Sequence, residues 1–181
     1  LSGATSGTGT SLNNIDLNIG TTTIIWTAID ACENSITCSF TVTVNKRPTV
    51  ITYTGDFTEQ YSDQQLLTAV LKDQVTNTVL SNKTVRFSIG TQSVSDGPGA
   101  PDNGTDANGI ASAVINLYQN PGGYSVAATF TGDAVYLASS DTDPFRITKE
   151  NAALDYTGPE FISVPCATCA TTNVVLSASI K

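Results

Sequence analysis

The sequence predicts an all-β chain of tandem two-sheet sandwiches. Three observations predict it: a composition that suits strands and turns, alternating apolar runs punctuated by turn residues, and an internal repeat near 100 residues. Of the 181 residues 40% are apolar, so a core can be buried, while only 13% are charged and 7% aromatic. Thr, Ser, Val, Ile and Gly dominate the remainder, the mixture found in short strands joined by turns. No stretch shows helical periodicity beyond a turn or two.

The repeat sets the domain plan. Val50-Ile51-Thr52-Tyr53-Thr54-Gly55 recurs as Ala153-Leu154-Asp155-Tyr156-Thr157-Gly158, with the tyrosines 103 residues apart (156 − 53). Leu67-Thr68-Ala69-Val70-Leu71-Lys72 recurs as Leu176-Ser177-Ala178-Ser179-Ile180-Lys181, at an offset of 109 (181 − 72). The second copy therefore carries six more residues between the two motifs (109 − 103), around Pro165-Cys166-Ala167-Thr168-Cys169. A period near 100 residues is the length of an immunoglobulin-type sandwich, so the fold class expected is tandem immunoglobulin-like β-sandwiches. Residues 1–45 are expected to be the C-terminal part of one domain, 46–150 a complete domain, and 151–181 the N-terminal strands of a further one. The chain would thus be cut within its first and last domains.

In the first segment Ile24, Trp26, Ala28, Asp30 and Cys32 share one parity, as do Cys38, Phe40, Val42 and Val44. A hairpin folded about Ser35 makes those faces coincide and sets Trp26 opposite Val44, Ala28 opposite Val42 and Cys32 opposite Cys38. That register predicts a Cys32–Cys38 disulfide. Lys46-Arg47, the one adjacent basic pair, falls where a linker is expected. In the middle domain the inward faces are expected at Val50 to Tyr53, then Leu67, Ala69 and Leu71, then Val85, Phe87 and Ile89. Ala111, Ala113, Ile115 and Leu117 follow. After the Pro121-Gly122-Gly123 turn come Tyr124, Val126, Ala128 and Phe130, and Phe145 with Ile147 closes the set. Phe87, Tyr124, Val126 and Phe130 should form its centre.

The stretch Gly20 to Asn34, with Ile24-Ile25-Trp26-Thr27-Ala28-Ile29-Asp30, followed by Cys38-Ser39-Phe40-Thr41-Val42-Thr43-Val44, resembles the end of a hyaline-repeat (HYR) module. Glu33 stands where that family commonly has Gly in the turn. The middle domain is similar to bacterial immunoglobulin-like repeats, through Thr105-Asp106-Ala107-Asn108-Gly109-Ile110-Ala111 and Phe130-Thr131-Gly132-Asp133-Ala134-Val135-Tyr136. These resemblances imply a secreted or surface-anchored multidomain protein of bacteria, extracellular in either case. Such modules occur together in very large adhesins, including those of gliding motility, and as spacers in secreted enzymes.

Charge and composition exclude several functions. Sixteen acidic against eight basic residues give a net charge of −8, which does not suit nucleic acid or an anionic membrane surface. No apolar run reaches the roughly 18 residues a membrane span requires. No targeting segment is visible, and any such segment is expected outside residues 1–181. There is no histidine, which removes the commonest general base and zinc ligand, and no G-x-S-x-G elbow is present. No enzyme activity is expected. Paired carboxylates for glycoside hydrolysis would need a cleft that a narrow sandwich rarely supplies.

Each candidate site has an ordinary counterpart. Cys166 and Cys169 have C-x-x-C spacing, but a redox motif needs a helix N-terminus and a zinc site needs two more ligands. A loop-stiffening disulfide is the simpler reading, with pairing to cysteines beyond Lys181 left open. Asp96, Asp102 and Asp106 offer oxygen ligands for calcium in a Gly- and Asn-rich loop, although their spacing departs from an EF-hand, and acidic turns are common in β-proteins. Asp141 and Asp143 are a second such pair, at an expected loop end. No other cofactor is expected. Tyr61, Tyr118 and Tyr136 could stack on sugars or simply pack. Lys72 alternates outward, and Lys83 and Lys149 fall at strand ends, so no Lys–Asn or Lys–Asp cross-link is expected. The function expected is a stalk of a bacterial cell-surface adhesin, with neighbouring domains of the same chain as its partners. A glycan- or protein-binding module is the alternative, as is an accessory region of a secreted polysaccharide-degrading enzyme.

Overall fold

The computed structural model describes residues 1–96 and 104–180. Among them there is no helix, and the strands run in the order β1 (Ser2–Gly3), β2 (Gly20–Ile29), β3 (Ser35–Val44), β4 (Thr49–Tyr53), β5 (Thr58–Gln60), β6 (Gln64–Asp73), β7 (Val85–Ile89), β8 (Gln92–Asp96), β9 (Ile110–Asn116), β10 (Gly122–Phe130), β11 (Ser139–Thr148), β12 (Leu154–Tyr156) and β13 (Ala178–Ile180). The all-β expectation holds.

The middle unit is built from two sheets, one ordered β4-β6-β9 and the other β5-β11-β10-β7-β8. Their inward faces share one core containing Ile51, Tyr53, Leu67, Ala69 and Leu71 from the first sheet and Val85, Phe87, Ile89, Val126, Ala128, Phe130, Phe145 and Ile147 from the second. Period-2 alternation explains this. Leu66 is 54% exposed while Leu67 beside it is fully buried. Tyr124 is a correction: it is only partly buried and packs at the margin of the core, its hydroxyl donating to the Asn120 carbonyl at 2.7 Å. The short polar strands β5 and β8 are additions the alternation did not reveal.

The incoming chain changes sheets. β4 pairs with β6, and β5, which begins five residues after β4 ends (58 − 53), pairs in parallel with β11, setting Arg146 beside Thr58 and Thr148 beside Gln60. Side chains continue this row across the sheet boundary. Thr49 Oγ1 lies 3.0 Å from the Leu137 carbonyl and 2.8 Å from Ser139 Oγ, and the Tyr53 amide donates to Asp141 Oδ2 at 2.8 Å.

The first segment is a three-stranded sheet in the order β1-β2-β3. Its long hairpin has a different register from the one expected. Ile24 faces Phe40, Trp26 faces Cys38 and Ala28 faces Ile36, so the hairpin turns about Cys32 instead of Ser35. The shift is an even number of residues, so the same apolar face survives. Asp30 decides the turn: its Oδ1 accepts the Cys32 and Asn34 amides at 2.8 and 2.9 Å, and its Oδ2 accepts Asn34 Nδ2 at 2.9 Å. Glu33 takes φ 64° there, the left-handed region that glycine adopts more readily.

The repeated motif has a repeated geometry. Ile51 faces Leu71 and Tyr53 faces Ala69; in the second copy Leu154 faces Ile180 and Tyr156 faces Ala178. Tyr53 donates its hydroxyl to the Asp56 carbonyl at 2.9 Å, and Tyr156 donates to the Pro159 carbonyl at 3.1 Å. Thr54 N reaches the Thr68 carbonyl at 2.8 Å, and Thr157 N the Ser177 carbonyl at 3.0 Å. A Cβ on Gly55 or Gly158 would collide with the tyrosine hydroxyl of its own copy, which is why glycine follows Tyr-Thr in both. Burial pushes the Tyr53 phenol up to about 12, keeping it a donor at every physiological pH.

Candidate functional site

The two cysteine pairs behave differently. Cys166 and Cys169 form a disulfide with Cα atoms 5.2 Å apart, in the longer loop of the second repeat. Cys32 and Cys38 are free and exposed, which corrects the expected bond. With the turn centred on Cys32, that residue sits at the hairpin tip. Cys38 lies within the ladder opposite Trp26. Bringing them together would break the Asp30-capped turn and the last ladder pairs.

The acidic candidates are spent on backbone amides. Asp96 is fully buried, with Oδ1 accepting Gly104 N at 3.2 Å and Oδ2 accepting Ser112 N at 3.0 Å. Asp106 Oδ1 accepts Asn108 N at 2.8 Å and Ile110 N at 2.9 Å. The Ile110 amide foremost, with help from Asn108 and against some burial, holds the Asp106 carboxyl below its usual range. Asp102 lies outside the described residues. Asp141 and Asp143 stand within β11, not at a loop end as expected, and Asp141 bridges to β4. Among the described residues no three His, Cys, Asp or Glu side chains are grouped to hold a metal ion.

The two motifs of the middle unit work as turn locks. In the first, Thr105 is buried, its Oγ1 donating to the Leu80 carbonyl at 2.6 Å and accepting Lys83 N at 3.0 Å. Gly109 has φ 72°, and an added Cβ would stand 2.8 Å from the Leu71 carbonyl oxygen. In the second, Asp133 Oδ1 accepts the Val135 and Tyr136 amides, each at 2.8 Å, and Oδ2 pairs with Lys83 Nζ at 2.6 Å. That ammonium also lies 5.0 Å from the Tyr136 ring centroid. Burial pulls the Asp133 carboxyl upward, but the Lys83 ammonium and the two amides outweigh it and hold the group at about 2.

Lys46 and Arg47 are clasped, not a free linker. Arg47 Nε pairs with Asp73, whose other oxygen accepts Val75 N at 2.8 Å and Thr76 N at 3.0 Å. The Arg47 guanidinium, with the Thr76 amide next, holds Asp73 well below the usual carboxylate range. Lys46 Nζ donates to the Asp133 carbonyl at 2.6 Å. Sequence reading missed this clasp, although the basic pair itself was the signal.

The three tyrosines part company. Tyr136 is half-buried against the core, Tyr61 is exposed, and Tyr118 is 68% exposed. Tyr118 is also held firmly: its amide donates to Gln92 Oε1 at 3.1 Å, and Gln92 Nε2 donates to the Asn116 carbonyl at 2.6 Å. In the first segment a hollow of about 610 Å³ lies beside Trp26, lined by uncharged side chains including Thr5, Leu12, Ile15 and Thr27. No helix of the described residues is long and apolar enough to cross a membrane. No family model matches this chain, and no curated protein matches it.

Proposed function

We propose that this chain belongs to an array of immunoglobulin-like sandwiches forming the stalk of a secreted bacterial surface adhesin, with an HYR-like unit preceding the middle one. The observation that carries the reading is the second hairpin, β12–β13, which repeats the register, the tyrosine hydrogen bond and the glycine of β4–β6. Tandem copies of one sandwich joined by short segments make a spacer. The Asp73, Asp106 and Asp133 carboxylates of the middle unit are committed to collecting backbone amides in turns, which suits a spacer. Protease shaving of intact cells of the source organism tests this. Peptides from residues 46–150 should be released before lysis, and their recovery only from the soluble interior would refute it.

The exposure of Tyr118 on a fixed loop favours a second reading, a module that binds glycan or protein. A glycan array probed with this chain separates the two. Binding abolished by Tyr118→Ala would favour the module over the spacer.

A further inference from the structure

The opening and closing stretches of the middle unit touch along its whole length, always in the same direction. Lys46 meets Asp133; Arg47 N donates to the Val135 carbonyl at 2.9 Å, and Leu137 N donates to the Arg47 carbonyl at 2.8 Å. Thr49 meets Leu137 and Ser139, Tyr53 meets Asp141, and Arg146 N donates to the Phe57 carbonyl at 2.9 Å. The β5–β11 ladder follows, and Tyr61 N closes the row on the Thr148 carbonyl at 3.0 Å. The separation between side-chain partners along this row stays between 87 and 90 residues. The two stretches are therefore parallel and in step from one pole of the unit to the other.

Direction decides how such a row fails under tension. When parallel stretches are pulled at the start of one and the end of the other, they slide past each other. Every cross-contact is then loaded at once. Stretches pulled from neighbouring ends open one contact at a time. We propose that this row is a shear clamp, the element that bears load when the middle unit is pulled through its two ends. The Lys46 side chain on the Asp133 carbonyl and the two Arg47 backbone hydrogen bonds anchor it where force enters, and the Arg47–Asp73 ion pair ties that end to β6. The inference rests on the stalk reading for its purpose, but its geometry stands without it.

Optical-tweezers measurements on the full chain test this, with click-reactive handles in two placements that leave the native cysteines alone. Handles at Asn45 and Asn151 load the row in shear. Handles at Ser62 and Asn151 load it from one end, because Ser62 Oγ lies 2.8 Å from Glu150 Oε1. The clamp requires a higher unfolding force in the first placement than in the second. It also requires that Thr49→Val with Asp141→Ala, which removes three cross-contacts, lowers the force in the first placement and leaves the second unchanged. Equal forces in the two placements overturn the clamp, and so does an equal loss in both, which would mark mere destabilisation. A failed clamp leaves the stalk reading to the cell-shaving result, so the two can fail separately.

Discussion

Leu66 and Leu67 are adjacent, identical and predicted to differ severalfold in what their truncation costs. Leu67 is fully buried and faces Ala113 across the β6–β9 pair, with Ala69 as its next inward neighbour on β6. Alanines on two sides have no side chain to spread into a leucine-sized gap, so the cavity persists and Leu67→Ala should cost ~3–5 kcal/mol. Leu66 faces Val114 on the outer surface, 54% and 51% exposed respectively, and its truncation should cost about 1 kcal/mol or less. The gap of ~3 kcal/mol corresponds to roughly 12–24 °C in melting temperature for a unit of about 100 residues. Thermal melts followed by circular dichroism on the two full-chain variants read it directly. A one-residue slip of β6 would exchange the two faces. Equal losses, or a larger loss from Leu66→Ala, would therefore refute both the register and the reasoning.

Residues 46–150 expressed alone should melt cooperatively, while 151–181 alone should not, since a short hairpin cannot bury its apolar face; the two melts settle the boundaries. Under native conditions an alkylating reagent should label Cys32 and Cys38, whereas non-reducing peptide mapping should return Cys166 and Cys169 as one linked peptide. The carboxyls of Asp73 and Asp133 have lower pKa values folded than unfolded. Their stabilisation is complete above the unfolded value near ~4 and is lost as pH falls towards about 2, where Asp133 titrates. Asp133→Asn, which can keep the turn but not the charge, should flatten the dependence of melting temperature on pH between those limits. Lys83 and Asp133 should remain an ion pair, so after reduction of the Cys166–Cys169 disulfide the intact mass should equal the sequence mass; a deficit of one water would reveal an amide between them.

Much of the fold was legible because inward residues alternate without interruption in β6, β7, β9 and β10. Leu67, Ala69 and Leu71 or Val126, Ala128 and Phe130 can face only one way. β5 and β8 were not legible. Thr58-Glu59-Gln60 and Gln92-Ser93-Val94-Ser95-Asp96 are held at or near sheet edges by backbone pairing, which leaves little apolar pattern. The hairpin register was misread for a related reason. Any even shift preserves which residues share a face, so parity could not distinguish a turn at Ser35 from one at Cys32. The deciding information lay in Asp30, whose carboxylate organises the turn from Asp30 to Asn34. At the candidate sites the residue types were right, but their use was hidden. Nothing in the spacing of Asp96 and Asp106 distinguishes a calcium ligand from a carboxylate that collects backbone amides.

The matched geometry of the β4–β6 and β12–β13 hairpins has a consequence for biosynthesis. Inward residues correspond position by position: Ile51 with Leu154, Tyr53 with Tyr156, Ala69 with Ala178 and Leu71 with Ile180. A strand from one copy would therefore find acceptable packing in the other, which is the condition for domain swapping between adjacent repeats. Outward positions discriminate better, since Val70 becomes Ser179 and Thr52 becomes Asp155. The safeguard lies in timing as well as in those differences. The β4–β6–β9 sheet can close while translation is still extending the chain, so its partners are already committed when Leu154 emerges. Refolding the whole chain at once from denaturant removes that order, and with it the protection against exchanged strands.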